Sequence, residues 1–287
     1  MPRILRLLPA AAVAVLVTAL PAAAAAQSSA ASPSVSSNWA GYAVTGANGS
    51  TKDFSNVSGT WVAPAATCTP GSPTYSAFWV GIGGYSENSQ ALEQTGSEAD
   101  CSASGRPEYS AWYELVPAAP VTLKLNIAAG DSVSAGVVVN GHDVTIAFID
   151  HTRHTSVVKH LKASSIDLTS AEWIAEAPSQ CDESGNCVPT PLTDFGNVSF
   201  TGLSATSAGH AGTVSDPSWA EQAIELQEDS GGRHRFARAS DSATTATPSA
   251  LSATGGAFSV AFSENSAAVT GPTSTFPGFG GGGPGGE

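Results

Sequence analysis

From Trp39 onward the apolar residues recur in short alternating runs broken by turn formers, and outside the extreme N-terminus no window of about eleven residues keeps a helical 3.6 period. A period of two marks a strand that buries one face. The runs read as strands are Trp39–Val44, Phe54–Val62, Ser76–Ile82, Tyr109–Leu115, Val121–Ile127, Ser132–Val139 and Asp143–Asp150, then Glu172–Glu176, Phe195–Phe200, Ala220–Gln227 and Gly256–Phe262. Between the two runs that flank it, the pair Asn140-Gly141 predicts a tight two-residue hairpin turn. Only 12% of residues are charged, and a helix-rich chain would use more Glu and Lys. So many half-buried strands hide their apolar faces most simply between two sheets. The expected fold is therefore all-β, a sandwich of two packed antiparallel sheets over residues 38–264.

Residues 1–26 read as a secretory signal peptide: Arg3 and Arg6 give a positive start, Leu7 to Leu20 is almost wholly apolar, and Ala24, Ala25 and Ala26 form a small-residue cleavage site. Pro9 and Pro21 leave an apolar centre too short for a membrane span. The mature chain is expected to be secreted, extracellular and without stable membrane association. Residues 27–37, rich in Ser and Ala, form a polar lead-in that needs no fold of its own. Residues 237–256, with many Ala, Ser and Thr, read as a loop before a final strand. The Gly/Pro-rich tail 265–287 has too few large side chains to offset the entropy of ordering it.

Eleven Lys and Arg against 24 Asp and Glu give a net charge of -13, and loss of residues 1–26 leaves 9 against 24, or -15. Such a chain is a poor partner for nucleic acid, where phosphate neutralisation dominates binding. Most of this charge titrates away below about pH 4, which permits work in acid. The cysteines are Cys68, Cys101, Cys181 and Cys187. An even number in an exported chain points to two disulfides, with three connectivities open. The favoured set is Cys181–Cys187, closing a short loop, and Cys68–Cys101 across the early strands. Wide cysteine spacing argues against a zinc site. His151 and His154 have ligand-like spacing but share their stretch with Arg153 and Lys159, which reads as a solvated surface. No metal, no cofactor and a monomer are expected.

No HExxH, GxSxG or phosphate-loop motif is present, so motifs of those kinds leave the function open. Two segments place polar residues inside strand-like runs. In Ala171-Glu172-Trp173-Ile174-Ala175-Glu176, alternation puts Glu172, Ile174 and Glu176 on one side and Trp173 and Ala175 on the other. In Leu92-Glu93-Gln94-Thr95-Gly96, Leu92 and Gln94 share a face. On residue type alone these faces suit a solvated sheet, a carbohydrate-binding sandwich with stacking tryptophans, or a glycoside hydrolase using Glu172 and Glu114.

Taken in order, Phe78-Trp79-Val80-Gly81-Ile82, Glu93-Gln94-Thr95-Gly96, Tyr109-Ser110-Ala111-Trp112-Tyr113-Glu114 and Ala171-Glu172-Trp173-Ile174 resemble the motifs of the glutamic peptidase family G1, the eqolisins. The resemblance runs from about Trp39 to Phe262. It implies a secreted, acid-acting endopeptidase with polypeptide substrates, built as a jelly-roll or concanavalin-like sandwich. The catalytic glutamine of that family falls on Gln94 and the catalytic glutamate on Glu172. Its groove tryptophans fall on Trp39, Trp79 and Trp112, and Glu114 is a further polar groove position. Two positions depart from the pattern: Gly83 and Ser110 stand where the family commonly carries Asp. The implied chemistry has Glu172 take a proton from an attacking water and later give it to the leaving amine, while the Gln94 amide steadies the oxyanion.

Overall fold

The computed structural model describes residues 32–47, 50–86, 88–182, 184, 187–228 and 243–265. The expected signal peptide, the start of the lead-in and all but the first residue of the expected tail lie outside these. The first nine strands are β1 (Ser34–Ser36), β2 (Trp39–Gly46), β3 (Phe54–Val62), β4 (Ala77–Gly83), β5 (Leu92–Cys101), β6 (Pro107–Leu115), β7 (Val121–Thr122), β8 (Ser132–Asn140) and β9 (Asp143–Asp150). They are followed by β10 (Thr155–Lys162), β11 (Ser170–Glu176), β12 (Ser179–Cys181), β13 (Cys187–Pro189), β14 (Asn197–Ser207), β15 (His210–Gly212), β16 (Trp219–Gln227), β17 (Ala243–Pro248) and β18 (Ala257–Asn265).

Sixteen strands share one hydrogen-bonded sheet, in the order β10-β9-β8-β3-β14-β18-β17-β16-β2-β11-β4-β5-β6-β7, with β1 on β16 and β15 on β14; β12 and β13 form a separate ribbon. Neighbours run antiparallel, except that β1 lies parallel to β16. The sheet doubles back at β17. Strands on either side of that point face each other: β18 lies against β2, β14 against β11, β3 against β4, and β8 against β5. Two packed layers result, as expected. They are continuous through β17, which pairs with β16 at Leu226↔Ala246 and Gln227↔Thr245.

Between the layers sit Phe54, Trp61, Phe78, Phe148, Trp173 and Phe200, all buried. Each such side chain contributes about 1.5–3 kcal/mol by leaving water. The two indoles between the layers keep their N–H groups satisfied: Trp173 donates to the Ser58 carbonyl at 2.8 Å and Trp61 to the Ser97 hydroxyl at 2.9 Å. Strands β8 and β9 alternate between buried and more exposed positions, as one solvated face requires. In contrast, every residue of β4 is buried, and only the last of β11 is not. Their second face is therefore covered as well, and that cover builds the site.

Several local expectations change. The hairpin forms, but Asn140 pairs with Asp143, so the turn residues are Gly141 and His142, with Gly141 at φ 58°. The run Val121–Ile127 yields only the two residues of β7. Within 237–256, Ala243–Pro248 form β17; small side chains suffice where the sheet folds over, so a low apolar content did not preclude a strand. The polar segment after His154 forms β10, a mostly exposed edge strand whose residues need no apolar alternation. The lead-in is partly structured, since Ser34–Ser36 pair with Ile224–Leu226. Cys68 and Cys101 form a disulfide that ties the segment after β3 to the end of β5. Cys187 is disulfide-bonded, and the β12–β13 register sets Cys181 opposite it.

Candidate active site

Directly opposed residues on adjacent strands point to the same face. Across five strands one such row reads Ala43 on β2, Glu172 on β11, Gly81 on β4, Gln94 on β5 and Glu114 on β6. Glu172 and Gln94, far apart in sequence, thus stand two strands apart on one face, about 10 Å between backbones. The residue between them is glycine. A Cβ at Gly81 would lie 2.8 Å from Trp79 Cζ3, 2.9 Å from Leu92 Cδ1 and 3.2 Å from Gln94 Cβ, so these side chains pack directly over Gly81 and only glycine fits there. The next row on the same face holds Gly41, Ile174, Trp79, Gly96 and Trp112, and the one after it Trp39, Glu176, Ala77, Glu98 and Ser110.

These rows floor a groove of about 1040 Å³ whose lining includes Trp39, Gln94, Glu98, Trp112, Glu114 and Glu176. Glu172 lies beneath that lining, 0% exposed, with both carboxyl oxygens lacking a hydrogen-bond partner. Burial pushes its carboxyl well above the usual carboxylate range, and repulsion from Asp167 and Glu93 adds to this. The nearby Ser170 hydroxyl works against the rise, although burial outweighs it. Gln94 donates from Nε2 to Glu114 Oε2 at 2.7 Å, while its carbonyl oxygen is unpartnered. That leaves Gln94 one free N–H and one free acceptor. Burial raises the Glu114 carboxyl, and the bond from Gln94 works against the rise.

All four predicted groove positions lie on this face. Trp112 and Glu114 line the groove. Trp39 meets Trp79 edge to face with ring centroids 5.0 Å apart. Trp79 is itself buried, and its indole donates to Glu176 Oε2 at 2.7 Å; Asn38 donates to the other oxygen at 3.1 Å. Glu176, whose carboxyl burial raises to about 7, is thus the anchor of the tryptophan pair. It was not singled out as a site residue, although alternation already placed it on the face of Glu172. Ser110 donates to Glu98 on the same floor. Cys68–Cys101 lies outside the groove lining. Among the described residues, no group of three or more His, Cys, Asp and Glu is placed to hold a metal ion.

Known proteins share this architecture. The chain is 30% identical over 204 residues to Aspergillopepsin-2 of Aspergillus niger, covering 63% of this chain and 68% of that one. It matches the solved scytalido-glutamic peptidase bound to a peptide-based transition-state analogue with a TM-score of 0.63 and 25% identity, over 79% of this chain and 98% of that one. It also matches SCP-B, a member of the eqolisin family solved with the tripeptide Ala-Ile-His, with a TM-score of 0.59 and 25% identity over the same shares of the two chains. The model of the Peptidase A4 family covers residues 37–248. With the Glu172–Gly81–Gln94 row on the groove face, the chain belongs to the Peptidase A4 family, the glutamic peptidases of the G1 or eqolisin type.

Proposed function

We propose that the chain is a secreted endopeptidase in which Glu172 and Gln94 act as a dyad on one shared water molecule. The observation that carries this reading is the register: the two side chains rise from one face with a residue lacking a side chain between them. A peptide lying along the groove would meet the tryptophan-rich floor, which excludes water around the reacting carbonyl. Ionised Glu172 takes one proton from the water as its oxygen bonds to the carbonyl carbon. The free Gln94 N–H donates to the developing oxyanion, and its carbonyl oxygen accepts from the water. The tetrahedral intermediate then breaks its C–N bond, and the proton held by Glu172 passes to the departing nitrogen.

Burial makes Glu172 a stronger proton acceptor but a scarcer anion. A base must be ionised to act, so a raised value moves the acid limb of kcat upward from the ordinary glutamate position near 4.3. Activity in acid therefore falls away at a higher pH than it would for a solvated glutamate. Secretion is supported by the signal-like pattern of residues 1–26 and by the disulfide. The test is digestion of an unfolded protein by the purified chain: Glu172→Gln, close in shape and unable to accept the proton, should lose nearly all turnover while remaining folded. Retention of wild-type turnover by that variant overturns the assignment.

A further inference from the structure

At the Glu172 end of the floor stands a carboxylate to which the proposed mechanism gives no part. Gly83 follows Gly81 on the groove face of β4, one pleat along. A Cβ there would lie 2.5 Å from the Asp167 carbonyl oxygen and 2.9 Å from Asp167 Cβ, and its φ of 85° disfavours any side chain. Asp167 thus fills the room that a side chain at position 83 would need. It reaches there from the segment that leads into β11.

Four donors hold the Asp167 carboxyl. Oδ1 accepts from the Thr169 N–H at 2.9 Å and from the Thr169 hydroxyl at 2.7 Å. Oδ2 accepts from the Ser89 hydroxyl and, at 3.5 Å, from the Gly84 N–H. Burial works to raise this carboxyl, but the donors outweigh it and keep the group below the usual range, hence ionised. The bonds from Gly84 and Ser89 also pin the β4–β5 connection, whose Gly84, Tyr85 and Ser86 line the groove. Around Glu172 the flanking strands present Ala43 and Gly81, which do not titrate. The titratable groups that act on it are Asp167 and Glu93, beside the Ser170 hydroxyl.

Resting on the reading of Glu172 as the proton acceptor, we propose that Asp167 is a positioning residue for catalysis, a fixed carboxylate anchored across Gly83 at the Glu172 end of the floor. Its negative charge works against ionisation of Glu172, whereas its tether to the β4–β5 connection ties that effect to the shape of the groove. Removing the charge should make Glu172 ionise more readily, so the acid limb of kcat should move to lower pH.

The experiment compares wild type, Asp167→Asn and Asp167→Glu by kcat against pH on an unfolded protein substrate. In parallel, the side-chain carboxyl carbon of Glu172 is titrated by NMR in the intact chain, with Glu172→Gln used for assignment. Asp167→Asn should raise relative turnover on the acid limb roughly threefold or more and lower the Glu172 titration point, while Asp167→Glu keeps both near wild type. Asp167→Ser repeats the charge removal with a smaller side chain should the asparagine variant fold poorly. Loss of thermal stability in Asp167→Asn with both the limb and the titration unmoved reduces Asp167 to a structural tether and overturns the proposal. If the wild type does not cleave peptides, the dyad reading fails, and the NMR titration still decides whether Asp167 acts on Glu172.

Discussion

Glu93 carries a stability cost that grows with pH. It lies on the core side of β5 between Ile82 and Leu115, 0% exposed, and neither carboxyl oxygen has a hydrogen-bond partner. Burial, with repulsion from Asp167 added, raises its carboxyl from the ordinary 4.5 to about 8. Below about pH 4.5 the folded and unfolded chains both hold this proton, and no penalty arises. Between there and about pH 8 the folded chain keeps a proton that the unfolded chain has released, so stability falls as pH rises. At pH 7 the loss is about 3 kcal/mol, from some 2.5 pH units at 1.36 kcal/mol each. Glu93→Gln is neutral at every pH and removes this dependence. Urea unfolding at pH 4.5 and pH 7 should show near-equal stability at the lower pH and a variant about 3 kcal/mol more stable than wild type at the higher. Glu176 and Asp100, each raised to about 7, add slopes of the same sign but are present in both proteins. Parallel loss of stability in the two proteins would refute the reasoning.

Other perturbations test separate parts of the account. Gly81→Ala places a methyl group against Trp79, Leu92 and Gln94, and should lower kcat by at least about tenfold with little change in secondary structure by circular dichroism. Gln94→Ala should lower kcat and kcat/KM together, because its donor acts on the developing oxyanion; steady-state kinetics showing a change confined to KM would assign it to substrate binding alone. Replacing both Cys68 and Cys101 by Ala opens a closure spanning 33 residues and should cost about 3–4 kcal/mol in urea unfolding, with the groove chemistry retained in the folded fraction.

What could be read in advance followed from local period. The side-to-side placement of Glu172, Trp173, Ile174 and Glu176 needs only that β11 be a strand, and Trp173 in the core with Glu172 on the groove face agrees with it. The union of Glu172 with Gln94 needs two long-range registers through Gly81, which no local pattern specifies; the family resemblance, not periodicity, brought those residues together. Strand β10 escaped notice because an exposed edge needs no apolar stripe, and β17 because Ala and Thr are bulk enough where the sheet doubles back. Glu93 and Asp167 were opaque for a different reason. A charged residue reads as solvated by default, and only the three-dimensional arrangement shows one carboxyl sealed against Ile82 and the other lodged over Gly83.

The central claim is that one water-derived oxygen is shared by Glu172 and Gln94. A crystal structure of the protein with a peptide in which a tetrahedral hydroxyl-bearing carbon replaces the scissile carbonyl tests it most directly. The account predicts that oxygens on that carbon lie roughly 2.6–3.2 Å from a carboxyl oxygen of Glu172 and from the amide of Gln94. A peptide bound along the groove with its tetrahedral centre away from either side chain, or with Glu172 still sealed beneath the floor, would contradict it.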